Sequence, residues 1–130
     1  LRRGDMWNAI QTGAFGVLFG LVPGIALLLP AVAPGVTIDL RLLGWYLMYV
    51  ALVFLLMAIP AYKVLKSLAF TYVIVFVAVG IVGTVTAGYL PPALLKVAGW
   101  LYLYIGLWFL YVPMALIVNA IFGKIVLPIK

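Results

Sequence analysis

Four long apolar runs, separated by breaks rich in proline and glycine, limit what this chain can fold into more than any other feature of its sequence. A helix needs about 20 consecutive apolar residues to cross the hydrocarbon core of a bilayer. Four runs meet this need, and we name the predicted helices a (residues 7–31), b (40–59), c (67–88) and d (95–122). The runs are too long for strands and lack period-2 alternation. The sequence therefore predicts an all-α integral membrane protein, with four transmembrane helices in one domain that covers residues 1–130.

Composition excludes most other classes of protein. Of the 130 residues, 69% are hydrophobic and 8% are charged, whereas a soluble domain carries about 25% charged residues. The chain has no cysteine and no histidine, so disulfides, thiolate chemistry and the commonest ligand of transition metals are missing. The sequence also offers no pairing of a nucleophile with a base. We therefore expect neither an enzyme nor a resident metal or cofactor, and no nucleic-acid partner.

Proline and glycine mark the ends of the predicted helices. Pro30 closes helix a, Pro60 is expected to end helix b, and Pro91 follows helix c, because proline cannot donate the backbone hydrogen bond that continues a helix. Gly123 is expected to stop helix d, since glycine readily adopts the left-handed conformation found at helix ends. Pro113 falls inside helix d, which membrane helices tolerate.

The basic residues indicate an orientation. Six of them fall on one side of a four-pass topology, namely Arg2, Arg3, Lys63, Lys66, Lys124 and Lys130. Two fall on the other side, Arg41 and Lys96. Because lysine and arginine accumulate in cytoplasmic loops, we expect a protein of the cell membrane with both termini of this chain in the cytosol. No charged residue falls in the middle of a predicted helix, although proton-coupled pumps usually carry one there.

Two predicted helices carry faces that could line a pathway for a small solute. The candidate residues are Asn8, Thr12 and Phe15 on helix a, and Thr71, Val75 and Thr86 on helix c. The alternative is that phenylalanines face lipid and that threonine hydroxyls bond back to their own helix. A small-residue face on helix c predicts close packing with another helix, and it consists of Gly80, Gly83, Thr84 and Ala87. Near the end of helix d, Asn119 is expected to have a hydrogen-bond partner, since a buried amide is costly in a membrane.

The tail of the chain resembles the C-terminal signature of the acetate uptake transporter family. Residues 98–129 read AGWLYLYIGLWFLYVPMALIVNAIFGKIVLPI. Bacterial members end in a helix that opens with AGW, continues to Y-x-x-M and closes with V-L-N-x-x-F-G-[RK]-x-V-L-P-I. The matching residues are Ala98, Gly99, Trp100, Tyr111, Met114, Val118, Asn119, Phe122, Gly123, Lys124, Val126, Leu127, Pro128 and Ile129.

The resemblance extends to the front of the chain. Residues 2–5 (RRGD) are similar to the basic-basic-Gly-Asn stretch before the family's third helix, and residues 13–16 (GAFG) lie where that helix carries its Tyr-Gly motif. The order of the helices then fits from end to end. The resemblance therefore implies a fragment that holds the last four helices of a six-helix protomer and lacks two N-terminal helices.

The resemblance also implies a narrow apolar constriction in the transport pathway. By alignment, Phe15 replaces the family's tyrosine at this point and Val75 falls near its leucine. The third member of the constriction, a phenylalanine, lies on a helix that this chain lacks. Phe15 keeps the bulk of the ring but has no hydroxyl to donate a hydrogen bond.

The function implied by the resemblance is transport of acetate, and also of succinate, along a channel-like or proton-linked pathway through each protomer of a homo-hexamer. A pore wall without fixed charge binds an anion only weakly, which permits fast exit. A coupled proton would then have to cross another way, for example on the solute. The alternative is a structural or assembly subunit of a membrane complex that transports nothing, since charge-poor helices are equally compatible with that role.

Overall fold

The computed structural model describes residues 24–25, 28–29, 32–33, 35 and 37–128. The chain divides after Asp39, and the unit that follows contains three long helices, α1 (Leu40–Val64), α2 (Lys66–Thr86) and α3 (Leu95–Phe122), with a short 3-10 turn at Pro92–Leu94. The described residues contain no strand, which confirms the all-α prediction for this part of the chain. Predicted helix a lies outside the described residues, apart from a few helical positions between 24 and 32.

Helices α1, α2 and α3 are each long and apolar enough to cross a membrane. They contain 25, 21 and 28 residues, and at about 1.5 Å per residue they are roughly 38, 32 and 42 Å long. The hydrocarbon core of a bilayer is about 30 Å thick. The basic residues of these helices lie in their terminal turns, at Arg41, Lys63, Lys66 and Lys96. The middle of each of the three helices is therefore free of charge, as predicted.

The prediction that Pro60 ends the second helix at residue 59 is wrong. Helix α1 continues through Pro60 to Val64. Proline removes only its own N–H from the helical ladder, and membrane helices accommodate that loss. The next residue, Ala61, is fully buried, and its carbonyl accepts a hydrogen bond of 2.9 Å from the N–H of Leu65. Packing of the last turn therefore outweighs the lost hydrogen bond.

A single residue, Leu65, separates α1 from α2. Its backbone is extended, with φ −154° and ψ 120°, and its carbonyl accepts hydrogen bonds from the N–H groups of Leu68 and Ala69. The chain reverses at this point, because Gly44 near the start of α1 lies against Gly83 near the end of α2. The two helices form an antiparallel hairpin with its hinge at Leu65.

Helix α2 ends at Thr86, two residues before the predicted boundary at 88. Gly88 adopts a φ of +86°, a left-handed conformation that glycine tolerates best. Its N–H bonds the carbonyl of Val85, and the N–H of Tyr89 bonds the carbonyl of Thr84, both at 2.9 Å. This pair of bonds is the Schellman arrangement that closes many helices. Gly88 therefore terminates α2 from outside the helix.

Helix α3 has the same bounds that the sequence predicts for helix d, and it contains Pro113. Gly123 follows it with a φ of 61° and acts as the predicted stop. Only Ala98, Val112 and Ala115 of this helix are buried. Most of the α3 surface is therefore open to whatever surrounds the protein.

Candidate functional site

The two helices of the hairpin approach each other closely through small residues. A Cβ atom built on Gly44 would lie 2.5 Å from the Ala87 nitrogen and 2.7 Å from the Gly83 carbonyl oxygen. A Cβ on Gly83 would lie 2.9 Å from the nitrogen of Met48. Both glycines thus leave room for the opposite backbone. Part of the predicted small-residue face of helix c, Gly83 and Ala87, is therefore used for packing, as small residues are in membrane helices.

Two of the predicted pathway residues lie together on the buried face of α2. Thr71 is 0% exposed and Val75, one helical turn further on, is 3% exposed. Thr86 is partly exposed at the last position of the helix, roughly 22 Å from Thr71 along the axis at about 1.5 Å per residue. The structure thus groups Thr71 with Val75 but not with Thr86. The other predicted pathway residues, Asn8, Thr12 and Phe15, lie outside the described residues.

The threonine hydroxyls of α2 form bonds within their own helix. Thr71 Oγ1 donates to the Ser67 carbonyl at 2.9 Å. Thr84 Oγ1 lies 2.8 Å from the Gly80 carbonyl and 3.0 Å from the Ile81 carbonyl. The local-bonding alternative raised from the sequence is therefore correct for these two residues. Each hydroxyl has already used its proton, so it can offer a solute only acceptor lone pairs.

The tail residues that carry the family resemblance form a hydrogen-bonded clasp, which we define as Asn119 with the segment 123–128. Asn119 Oδ1 accepts hydrogen bonds from the N–H groups of Val126 at 2.7 Å and Leu127 at 2.9 Å. Asn119 Nδ2 donates to the Leu127 carbonyl at 2.8 Å. The expectation that Asn119 has a partner is confirmed, and one amide satisfies three backbone groups.

A second side chain completes the clasp from further back along α3. The Tyr111 hydroxyl donates to the Pro128 carbonyl at 3.0 Å. Side chains therefore bind four backbone groups of the tail, namely the Val126 N–H, the Leu127 N–H, the Leu127 C=O and the Pro128 C=O. Pro128 has no N–H that would need a partner. Non-helical backbone enters an apolar environment only when its polar groups are satisfied. The clasp therefore equips the tail to lie along α3, with Phe122 and Lys124 exposed.

Sequence reasoning missed two features of this arrangement. Gly44 stands alone in an apolar run, and only the crossing point shows why it is glycine. The pairing of Tyr111 with Pro128 spans 17 residues. The one sign of this pairing in the sequence was that Tyr111 and Pro128 both match the C-terminal signature of the family.

The described residues include no histidine or cysteine and few acidic side chains. They contain no cluster of three or more residues of the types His, Cys, Asp and Glu that could hold a metal ion. Across the same residues, every buried side-chain nitrogen or oxygen has a hydrogen-bond partner.

Comparisons with models of protein families, with curated proteins and with solved structures found no match for this chain.

Proposed function

We propose that this chain is part of a transporter of the cell membrane that moves small monocarboxylates, acetate first and also succinate. In this proposal the chain supplies the last four helices of a six-helix protomer, six protomers assemble, and both termini of the chain lie in the cytosol. The pathway runs within the protomer. It is channel-like or linked to a proton that travels with the solute.

The observation that carries the proposal is the tail. The residues that resemble the family signature, among them Asn119, Leu127 and Pro128, are the same residues that make the clasp. Their joint use in one local structure supports the interpretation of the tail as a functional unit inherited with its fold.

The distribution of charge supports the same proposal. In the three described spans the charged side chains lie at the helix ends, so an anion crossing the bilayer would meet no fixed countercharge there. A carboxylate that crosses as the neutral acid, or together with a proton, avoids the large cost of placing a charge in an apolar medium. Weak binding along such a wall permits rapid release.

A second candidate function is a structural or assembly subunit that transports nothing. The bonding of the Thr71 and Thr84 hydroxyls within α2 favours it, because a hydroxyl that donates to its own helix has no proton left to donate to a solute. The open surface of α3 also suits a subunit whose main task is to contact other proteins.

Uptake of labelled acetate into liposomes distinguishes the two candidates. We expect saturable uptake when the upstream helices are restored, and we expect excess unlabelled acetate to block it. Empty liposomes and liposomes with the 130-residue chain serve as controls. Absence of uptake in the restored form, at a protein density confirmed by quantitative blotting, would favour the structural subunit.

The variant Val75→Ala tests the pathway itself. If Val75 narrows the pathway, the shorter side chain raises succinate uptake relative to acetate by about tenfold, the usual effect of a methylene-sized change in a selective pocket. Val77→Ala is the matched control, because Val77 lies on the same helix but is 42% exposed. Equal uptake ratios in the two variants would remove Val75 from the pathway.

A further inference from the structure

An apolar groove opens between the two helices of the hairpin, next to its hinge. The small side chains of Ala58 and Ala69 are buried and form its floor. The larger side chains of Leu55, Ile59, Phe70 and Val73 are exposed and form its walls. Both helices are long and apolar enough to cross a membrane, and in such a span the side chains beyond the terminal turn lie at the depth of the acyl chains.

One end of the groove is cationic. Lys66 and Tyr62 line it there, with the Lys66 ammonium 5.9 Å from the centre of the Tyr62 ring. Lys63 lies three residues before Lys66, and both lysines are exposed. From Lys66 to Val73 the groove follows α2 for about 10 Å at about 1.5 Å per residue. An apolar slot with positive charge at its surface end matches the two chemical parts of an anionic lipid.

The protein itself offers these lysines no countercharge in the described residues. Asp39 is the acidic residue in the described part of the chain, and it lies just before the first residue of α1. Because α1 extends for 25 residues before the hinge, Asp39 lies roughly 36 Å from the hinge lysines along the helix axis. A second copy of the chain would not supply many carboxylates either, because its 130 residues include only two acidic residues against eight basic ones. Membrane lipid is the plentiful source of negative charge at this position.

We propose that the groove binds an anionic phospholipid, with one acyl chain between the walls and the phosphate of the headgroup at Lys66 and Lys63. The aliphatic stem of Lys66 lies along the groove while its ammonium reaches the headgroup, as long basic side chains do at membrane surfaces. The Tyr62 ring holds the ammonium over the end of the slot by a cation–π contact. This inference does not depend on what the protein transports.

Native mass spectrometry of the full chain released from nanodiscs tests the proposal. The nanodiscs hold equal amounts of phosphatidylglycerol and phosphatidylcholine with identical acyl chains. We expect retained phosphatidylglycerol to exceed phosphatidylcholine, and Lys66→Gln to lower that excess by about fivefold, the effect of one lysine near an anionic surface. The matched control is Lys124→Gln, a lysine beyond the end of α3 and outside the groove, and it should leave the excess unchanged.

Two results would overturn the proposal. Equal retention of the two lipids by the unaltered chain would show that the groove does not select the headgroup. Equal losses in Lys66→Gln and Lys124→Gln would show that charge acts diffusely and that no site exists. A second variant, Ala69→Leu, narrows the groove without altering charge, and it should reduce retention of both lipids. If that variant fails to fold, its melting temperature reveals this, and the lysine comparison still decides the outcome.

Discussion

The α1–α2 hairpin and the α3 helix with its clasp solve the problem of folding in an apolar environment in different ways. Of the most apolar stretch of α2, 44% is buried inside the molecule, against 11% for α3. The hairpin depends on shape, with glycines at its crossing and the rings of Phe54 and Tyr72 in its core, 5.8 Å apart and tilted at 45° to each other. The end of α3 depends on hydrogen bonds from Asn119 and Tyr111.

The difference follows from the solvent. Lipid gives helices no hydrophobic reason to associate, so contact must come from close van der Waals packing or from polar groups that need partners. Two regular helices have no unpaired groups in their middles and must therefore fit each other closely. The segment after Gly123 leaves the helix and must find partners for its own backbone. Packing in one region and polar satisfaction in the other are thus both forced by local geometry.

The largest expected effect lies at the helix crossing of the hairpin. Gly44→Val places side-chain atoms where the backbone of Ala87 and the carbonyl of Gly83 already lie. The helices must separate, and we expect a loss of about 3 kcal/mol of stability, at the upper end for overpacked cores. Unfolding of the purified protein by denaturing detergent measures this loss.

Gly80→Ala is the control for that prediction. Its new Cβ would meet the Ala51 Cβ at 3.9 Å, which is ordinary contact, so stability should stay the same or rise by up to about 1 kcal/mol through helix propensity. Equal losses from Gly44→Val and Gly80→Ala would mean that the hairpin is not held by close approach at Gly44.

An intermediate and local effect is expected in the clasp. Asn119→Leu removes three hydrogen bonds to the tail backbone and should cost about 2 kcal/mol, given about 1 kcal/mol for each bond less some recovery by water. Faster hydrogen exchange at Val126 and Leu127, with no change in the hairpin, is the measurement that shows it.

A second variant, Asn119→Asp, is the comparison for Asn119→Leu. Asn119→Asp keeps an oxygen to accept from both N–H groups, but it replaces the donation to the Leu127 carbonyl with a second acceptor oxygen that repels it. It should therefore keep most of the exchange protection at Val126. Full protection in Asn119→Leu would show that the tail is held by something other than Asn119.

The smallest effect is expected on the open face of α3. A Cβ on Gly106 would have no atom within 4 Å, so Gly106→Ala should be neutral or stabilise the isolated protomer by up to about 1 kcal/mol through helix propensity. Thermal melting in detergent tests this. A clear loss of stability that appears only in the assembled oligomer would place Gly106 in a contact between protomers and sharpen the contrast with the hairpin.

The part of the fold that the sequence predicted came from the length of the apolar runs, from their lack of period-2 alternation, and from the glycines and prolines that mark helix ends. Gly123 predicted the end of α3 because a left-handed residue is needed there in any surroundings. Pro60 predicted the wrong end for α1. The packing of Ala61 offsets the hydrogen bond that proline loses, and that packing cannot be read from the sequence. The positions of Thr71 and Val75 on one face follow from helical spacing, but their burial does not.

The sequence by itself determined that this chain is helical, that its spans are long and apolar enough for a membrane, and that its charges lie at the span ends. These properties depend only on the neighbours of each residue along the chain and on the cost of leaving backbone groups unpaired in lipid. Tertiary structure alone decided that Gly44 faces Gly83 and Ala87, that the tail returns to Asn119 and Tyr111, and that a groove ends at Lys66. Each of these features brings together segments that meet only after the chain has folded, so their complementarity in shape or hydrogen bonding does not follow from neighbours along the sequence.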